Sequence, residues 1–176
     1  MKALILEDNV QKLANATRVL QKFSIDHVHF NNCCIPYEMF IVKEGLKGFD
    51  LVVLDLFFYK QPPLLGESRL PSSTAGFYFL LKMAEYECNV PVIIHSSEDD
   101  YLPGLEKFFL PTIEEFSKLF KNAPLPYTYY HVEERYKDEI DRHRKFLEFA
   151  KGLILGHAHN EIELEHLVSE FVTSKK

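Results

Sequence analysis

Ala3-Leu4-Ile5-Leu6 and Leu51-Val52-Val53-Leu54 are unbroken apolar runs, and each ends on acid: Glu7-Asp8 after the first, Asp55 after the second. A strand with one wet face alternates apolar and polar residues. A run without alternation needs cover on both faces, as in a parallel sheet between two helical layers. In such open sheets ligands bind where the strands end. Three carboxylates on one rim repel one another unless a divalent cation or a basic group joins them.

The flanking sequence supports this layout. Val10, Leu13, Ala14, Thr17 and Leu20 recur at helical spacing behind Asn9, a good N-cap. Ile25–Phe30 reads as a short strand, and a weaker helical pattern runs through Tyr37, Phe40 and Ile41. Phe77, Leu80, Leu81 and Ala84 mark another helix, and Val90–Ile94 a fourth strand with Pro91 near its start, where proline is tolerated. Thr112-Ile113-Glu114-Glu115 has capping-box spacing and opens a helix through Phe116 and Phe120. Tyr127–Val132 is rich in β-formers and predicts an extra strand. Glu133–Lys151 predicts a long, solvated helix with acid-before-base pairs such as Asp138–Arg142 and Asp141–Lys145, stopped by Gly152. Leu153-Ile154-Leu155 reads as a fifth strand, and Asn160 caps a last helix through Leu164, Leu167, Val168 and Phe171.

This alternation predicts one α/β domain over residues 1–176, a doubly wound parallel five-stranded sheet with right-handed crossovers. Two stretches look inserted: Phe57–Ser73 after the third strand, and Asp99–Lys151 between the fourth and fifth.

Bulk composition narrows the function. A net charge of −6 argues against a nucleic-acid partner, because phosphate contacts need clustered cations. No apolar run approaches the ~20 residues of a membrane span, and the chain enters its first strand with no signal peptide ahead of it. The three cysteines, Cys33, Cys34 and Cys88, make no disulfide framework. A reduced, cytoplasmic setting without membrane attachment is the expectation.

In order, these segments resemble the receiver domain of two-component response regulators, the CheY-like superfamily. Leu4–Asn9 is similar to that family's acidic pair after its first strand, and Phe49–Leu56 to the segment bearing its phosphorylated aspartate. Gly76-Phe77 matches the start of its third helix, and Val90–Ser97 its fourth strand, which ends on a hydroxyl residue. Gly152–His157 lines up with its fifth strand. The resemblance implies a flavodoxin-like fold. It also implies Asp55 as phosphoacceptor, Mg²⁺ held by Glu7, Asp8, Asp55 and the backbone carbonyl of Phe57, and Ser96 as a phosphoryl contact. A histidine kinase or phosphotransfer protein would supply the phosphoryl group. With the whole chain used by the receiver scaffold, output would pass to a downstream protein partner, and the chain would not be a turnover enzyme.

Two departures qualify that expectation. Where the family carries a lysine and then proline, this chain has Gly156-His157, so one phosphoryl oxygen loses its cationic partner. The family's switch aromatic falls at Leu153, which has no ring to swing. A phosphorylation-independent pseudo-receiver that only binds partners is therefore the alternative.

Blander readings compete at each motif. Glu7-Asp8 also suits a helix N-terminus, Asp55 a turn, and Ser96 a cap. A Mg²⁺-dependent phosphohydrolase or nuclease is the rival from another class, but a Toprim-like or haloacid-dehalogenase-like site would want a second acid two residues after Asp55, where this chain has Phe57. His157-Ala158-His159 with Glu163 and His166 lacks zinc-site spacing and reads as solvated loop and helix. A rim already closed by a lysine or arginine ion pair would speak against the signalling reading.

Overall fold

The computed structural model describes residues 1–33, 36, 46–58, 75–97, 101–110 and 129–175, with the side chains of 129–135 left aside. In chain order the elements are β1 (Lys2–Leu6), α1 (Val10–Lys22), β2 (Asp26–Phe30), β3 (Leu51–Leu54) and α2 (Ala75–Glu85). They continue with β4 (Val92–His95), α3 (Leu102–Phe109), α4 (Tyr129–Leu153), β5 (Ile154–Ala158) and α5 (Glu161–Ser174). The five strands form one parallel sheet in the order β2-β1-β3-β4-β5. The predicted doubly wound α/β fold is present.

Each apolar run is buried on both sides because consecutive residues enter different cores. Leu4, Leu6, Val52, Leu54 and Ile94 pack against α2, α3 and α4 through Leu80, Met83, Phe109 and Leu147. Ala3, Ile5, Leu51, Val53 and Ile93 pack against α1 and α5 through Ala16, Leu20, Leu164 and Val168. At ~1.5–3 kcal/mol for each fully buried aliphatic side chain, these two layers supply the main drive to fold. The caps are where the sequence puts them: Asn9 accepts from the amides of Gln11 and Lys12, and Asn160 from those of Ile162 and Glu163.

Four expectations need correction. Tyr129–Val132 lies in the first turn of α4, not in a strand; there, packing of the continuing helix on α2 overrides β-propensity. The helix is not solvated all round, since Ile140, Leu147 and Ala150 are buried along one stripe. Among the described residues its surface pairs include Glu139–Arg142 and Asp141–Arg144, three residues apart, in place of Asp138–Arg142 and Asp141–Lys145. Gly152 sits inside its last turn without a positive φ. The stretch expected to be an insertion thus supplies two helices of one layer. The helical patterns at 37–41 and 112–120, residues 59–74 of the expected insertion after β3, and Cys34 lie outside the described residues.

The fifth strand is displaced from its expected place. Leu153 closes α4, and the strand runs on to Ala158. A register shift between Val92 and Ile93 pairs Gly156 with Ile93 and Ala158 with His95. Gly156 is therefore mid-strand, and a Cβ there would meet Leu167 Cδ2 at 2.6 Å. The rim position that the resemblance reserves for lysine is Ala158, which is fully buried. Counting back by the same three residues puts the switch position at Leu155, again without a ring.

Gly76 fixes how α2 seats on β3. A Cβ there would lie 2.3 Å from the carbonyl oxygen of Asp55 and 2.5 Å from Leu56 Cα, both backbone atoms that cannot step aside. Gly76→Ala is expected to destabilise by about 1–3 kcal/mol. Gly152→Ala, with nothing within 4 Å of the new carbon, should be neutral or stabilise by up to about 1 kcal/mol. Urea unfolding of the two variants checks the contrast; equal effects would mean that α2 does not abut β3 as described.

Candidate functional site

Strand parity builds the site. Ile5, Val53 and Ile93 all face α1 and α5, so two residues further on Glu7, Asp55 and His95 form a row on that same side. The Asp55 amide donates to the Leu6 carbonyl at 2.9 Å, carrying the pairing one step past the strand end. Asp8, next in the chain, completes the acidic group: one oxygen each from Glu7, Asp8 and Asp55 lie within 4.8 Å of one another. The three predicted acids meet on one rim.

Asp55 is held at both oxygens. Oδ1 accepts the amides of Leu56 at 2.8 Å and Phe57 at 3.4 Å, while Oδ2 accepts Lys12 Nζ at 3.3 Å. Glu7 Oε1 accepts the Asn9 amide at 2.8 Å. Glu7 Oε2 is buried without a hydrogen-bond partner among the described residues and stands 4.0 Å from His95 Nδ1, which also has none there. The Ser96 hydroxyl is buried and unpartnered too, while its backbone is tied to β5 through the Ala158 carbonyl. Phe57, expected to lend a backbone carbonyl, lies on this rim with its ring edge-on to Phe77 at 5.6 Å.

The electrostatics follow from burial and crowding. Glu7, 2 % exposed, is pushed up to about 8, first by loss of water and then by the Asp55 charge. Burial raises Asp55 as well, opposed by the Lys12 ammonium and the two amides. His95 is lowered to about 4 by burial and by the positive charges of Lys12 and His157, so the ring is neutral near pH 7.

Sequence reasoning missed Lys12 and His95. Lys12 meets in part the adverse condition of a rim closed by a basic ion pair. One ammonium against three carboxylates still leaves two negative charges when all are ionised, and Glu7 Oε2 keeps no partner. The donors present, carboxylates at short mutual distance with unsatisfied buried oxygen, fit a divalent cation. Among the described residues no other such group of His, Cys, Asp and Glu occurs, so His157, His159, Glu163 and His166 do not assemble. Glu163 instead accepts the His159 amide at 2.8 Å. No helix among the described residues is long and apolar enough to cross a membrane.

No protein-family model matches the chain, and no curated protein does. Among solved structures, a response regulator receiver protein from Pseudoalteromonas atlantica superposes with a TM-score of 0.54 at 11 % identity, covering 100 % of both chains. The N-terminal domain of a response regulator/sensory box/GGDEF 3-domain protein from Carboxydothermus hydrogenoformans gives 0.51 at 14 % identity, covering 99 % of this chain and 96 % of that one. The fold is that of CheY-like receiver domains.

Proton linkage of this cluster is measurable without cation. Between about 4.5 and 8 the folded state holds a proton on Glu7 that the unfolded chain has released, so stability falls as pH rises through that range. His95 acts oppositely below 6.5, where the unfolded chain takes up a proton that the fold refuses. In chelator, urea stability should therefore decline from pH 6.5 to 8, where the Glu7 effect acts without the His95 one. Glu7→Gln should flatten that decline. A wild-type profile level or rising over this interval would contradict the buried placement of Glu7.

Proposed function

We propose that the chain is a receiver-like signalling domain in which Asp55 accepts a phosphoryl group. Glu7, Asp8, Asp55 and the Phe57 carbonyl would hold a divalent cation, Mg²⁺ in the receiver resemblance. The observation that carries this reading is the convergence of three carboxylates, oxygens within 4.8 Å, on the rim of a receiver fold. When bound, the cation supplies positive charge to the phosphoryl oxygens.

The chain's own residues take the remaining roles. Oδ1 of Asp55 is tied to two backbone amides, while Oδ2 meets the Lys12 side chain from α1; Oδ2 is the attacking atom in this reading. Its bond to phosphorus forms as the donor's bond to phosphorus breaks, giving an acyl phosphate on Asp55 and a released histidine of a kinase or phosphotransfer protein. The unpartnered Ser96 hydroxyl is available to donate to a phosphoryl oxygen. Lys12, on Oδ2 from α1, supplies the cationic contact that the rim lacks at Ala158. Output would be a contact with a downstream protein; turnover is not part of this reading.

A second reading, a binding module that works without phosphorylation, is favoured by the absent rim lysine and by Leu155 at the switch position. A hydrolase is disfavoured because Phe57 occupies the place of its second acid.

Incubation with acetyl phosphate and Mg²⁺ separates the three. Stoichiometric labelling, abolished in Asp55→Asn, is the expected result. Steady phosphate release in excess of protein would indicate a hydrolase, and no label at all would leave the binding module. Lys12→Met should slow labelling by ~10²-fold, the scale of losing one preorganised donor to the transition state. It should leave cation binding intact or tighter, because a competing positive charge is gone. Unchanged labelling in this variant would remove Lys12 from the mechanism.

A further inference from the structure

Ser96 stands one residue past the end of β4, where the sheet's ladder runs out. Its amide still follows the pattern, donating to the Ala158 carbonyl at 3.2 Å. In a parallel pair the Ser96 carbonyl would next accept the amide two residues further along the partner, that of Asn160. By then β5 has ended at Ala158, and Asn160 is capping α5. The donor is instead a side chain: His157 Nε2 lies 3.0 Å from the Ser96 carbonyl oxygen. A carbonyl only accepts, so this nitrogen carries a ring proton. Both backbone polar groups of Ser96 are thereby tied to β5. The residue is 1 % exposed, and its hydroxyl is buried with no hydrogen-bond partner among the described residues.

We infer that His157 is a positioning residue for phosphoryl transfer: its Nε2–H holds the Ser96 carbonyl and so keeps the Ser96 hydroxyl aimed at the rim. This rests on the reading of Asp55 and Ser96 proposed above and adds the residue that orders the Ser96 contact. With only its amide held, Ser96 is free to turn its carbonyl and draw the strand end away from Asp55. Holding the carbonyl as well leaves rotation about χ1 as the hydroxyl's main freedom. Such order matters in group transfer, where a shift of about 1 Å costs on the order of 10²-fold in rate. The shifted register makes the contact possible: it sets His157 opposite Ile94, from where the ring reaches forward to Ser96. The imidazole is in turn fixed by packing, edge-on to Tyr101 with ring centres 5.1 Å apart and 4.1 Å from the His159 ring. Ala158 brings no cation to the rim, so the contribution of β5 to the reaction passes through Ser96.

Labelling rates with acetyl phosphate and Mg²⁺ in two variants separate the N–H from the ring. His157→Phe keeps a ring against Tyr101 and His159 but has no donor, and should label roughly tenfold or more slowly than wild type. His157→Gln loses the ring but carries an N–H donor at the reach of Nε2, and should recover most of that rate. A residue that only packs would give the reverse order. In a Ser96→Ala background no hydroxyl is left to aim, so adding His157→Phe should cost nothing further. Should the phenylalanine variant fail to fold, His157→Met takes its place, filling the space without a donor. Equal rates in the donor and donor-free variants, or a further loss on top of Ser96→Ala, overturns the inference and leaves the receiver reading standing. A wild-type chain that takes no label overturns both.

Discussion

Repulsion between Glu7 and Asp55 organises this molecule's chemistry. Adjacent parallel strands place these carboxylates side by side, and the helices that bury the strands also strip the acids of water. A surface pair would be screened; this one is not. The protein answers with a proton raised on Glu7, a lysine brought over from α1, and two amides aimed at one oxygen of Asp55. All three lower the local negative charge, and a dication would do more than any of them.

The architecture explains why that repulsion is tolerated. The sheet's central strands are covered on both faces, so the stability gathered along β1, β3 and β4 can carry an unfavourable rim. Gly76 lets α2 begin directly against the backbone after β3, and Asn9 starts α1 directly after Glu7-Asp8. Both helix starts therefore crowd the acids. The wall that excludes water is the same wall that holds the sheet together.

Much of this was legible in the sequence, because it depended on local pattern. Unalternating apolar runs marked β1 and β3, and their terminal acids marked the rim. Asn9 and Asn160 marked helix starts. What escaped depended on pairing. The bulge between Val92 and Ile93 shifts the pairing of β5 by one residue, and the strand runs on so that Ala158 rather than Gly156 pairs with His95 at the rim. No single-chain pattern shows a register shift, and Leu153-Ile154-Leu155 drew the strand toward its most apolar end. His95 was visible as the last residue of an apolar run, but its company is set by strand parity across three strands. Lys12 looked like an ordinary residue of an amphipathic helix until α1 was laid over the sheet.

The rim also has a packed connection to the helical layer on the other face. Phe57, two residues past Asp55, stands edge-on to Phe77, which stacks on Phe108 of α3 with ring centres 5.7 Å apart. From β4, the Ser96 carbonyl meets His157 Nε2 at 3.0 Å, and that ring lies edge-on to Tyr101, just before α3. Two routes thus leave neighbouring strand ends and arrive at one short helix. Close packing makes rearrangement there discrete rather than graded. The position three residues before Ala158 carries Leu155, so a ring swinging on β5 is not available to report the state of Asp55. The contacts that connect Asp55 to that layer run through Phe57 to Phe77 and on to Phe108 of α3.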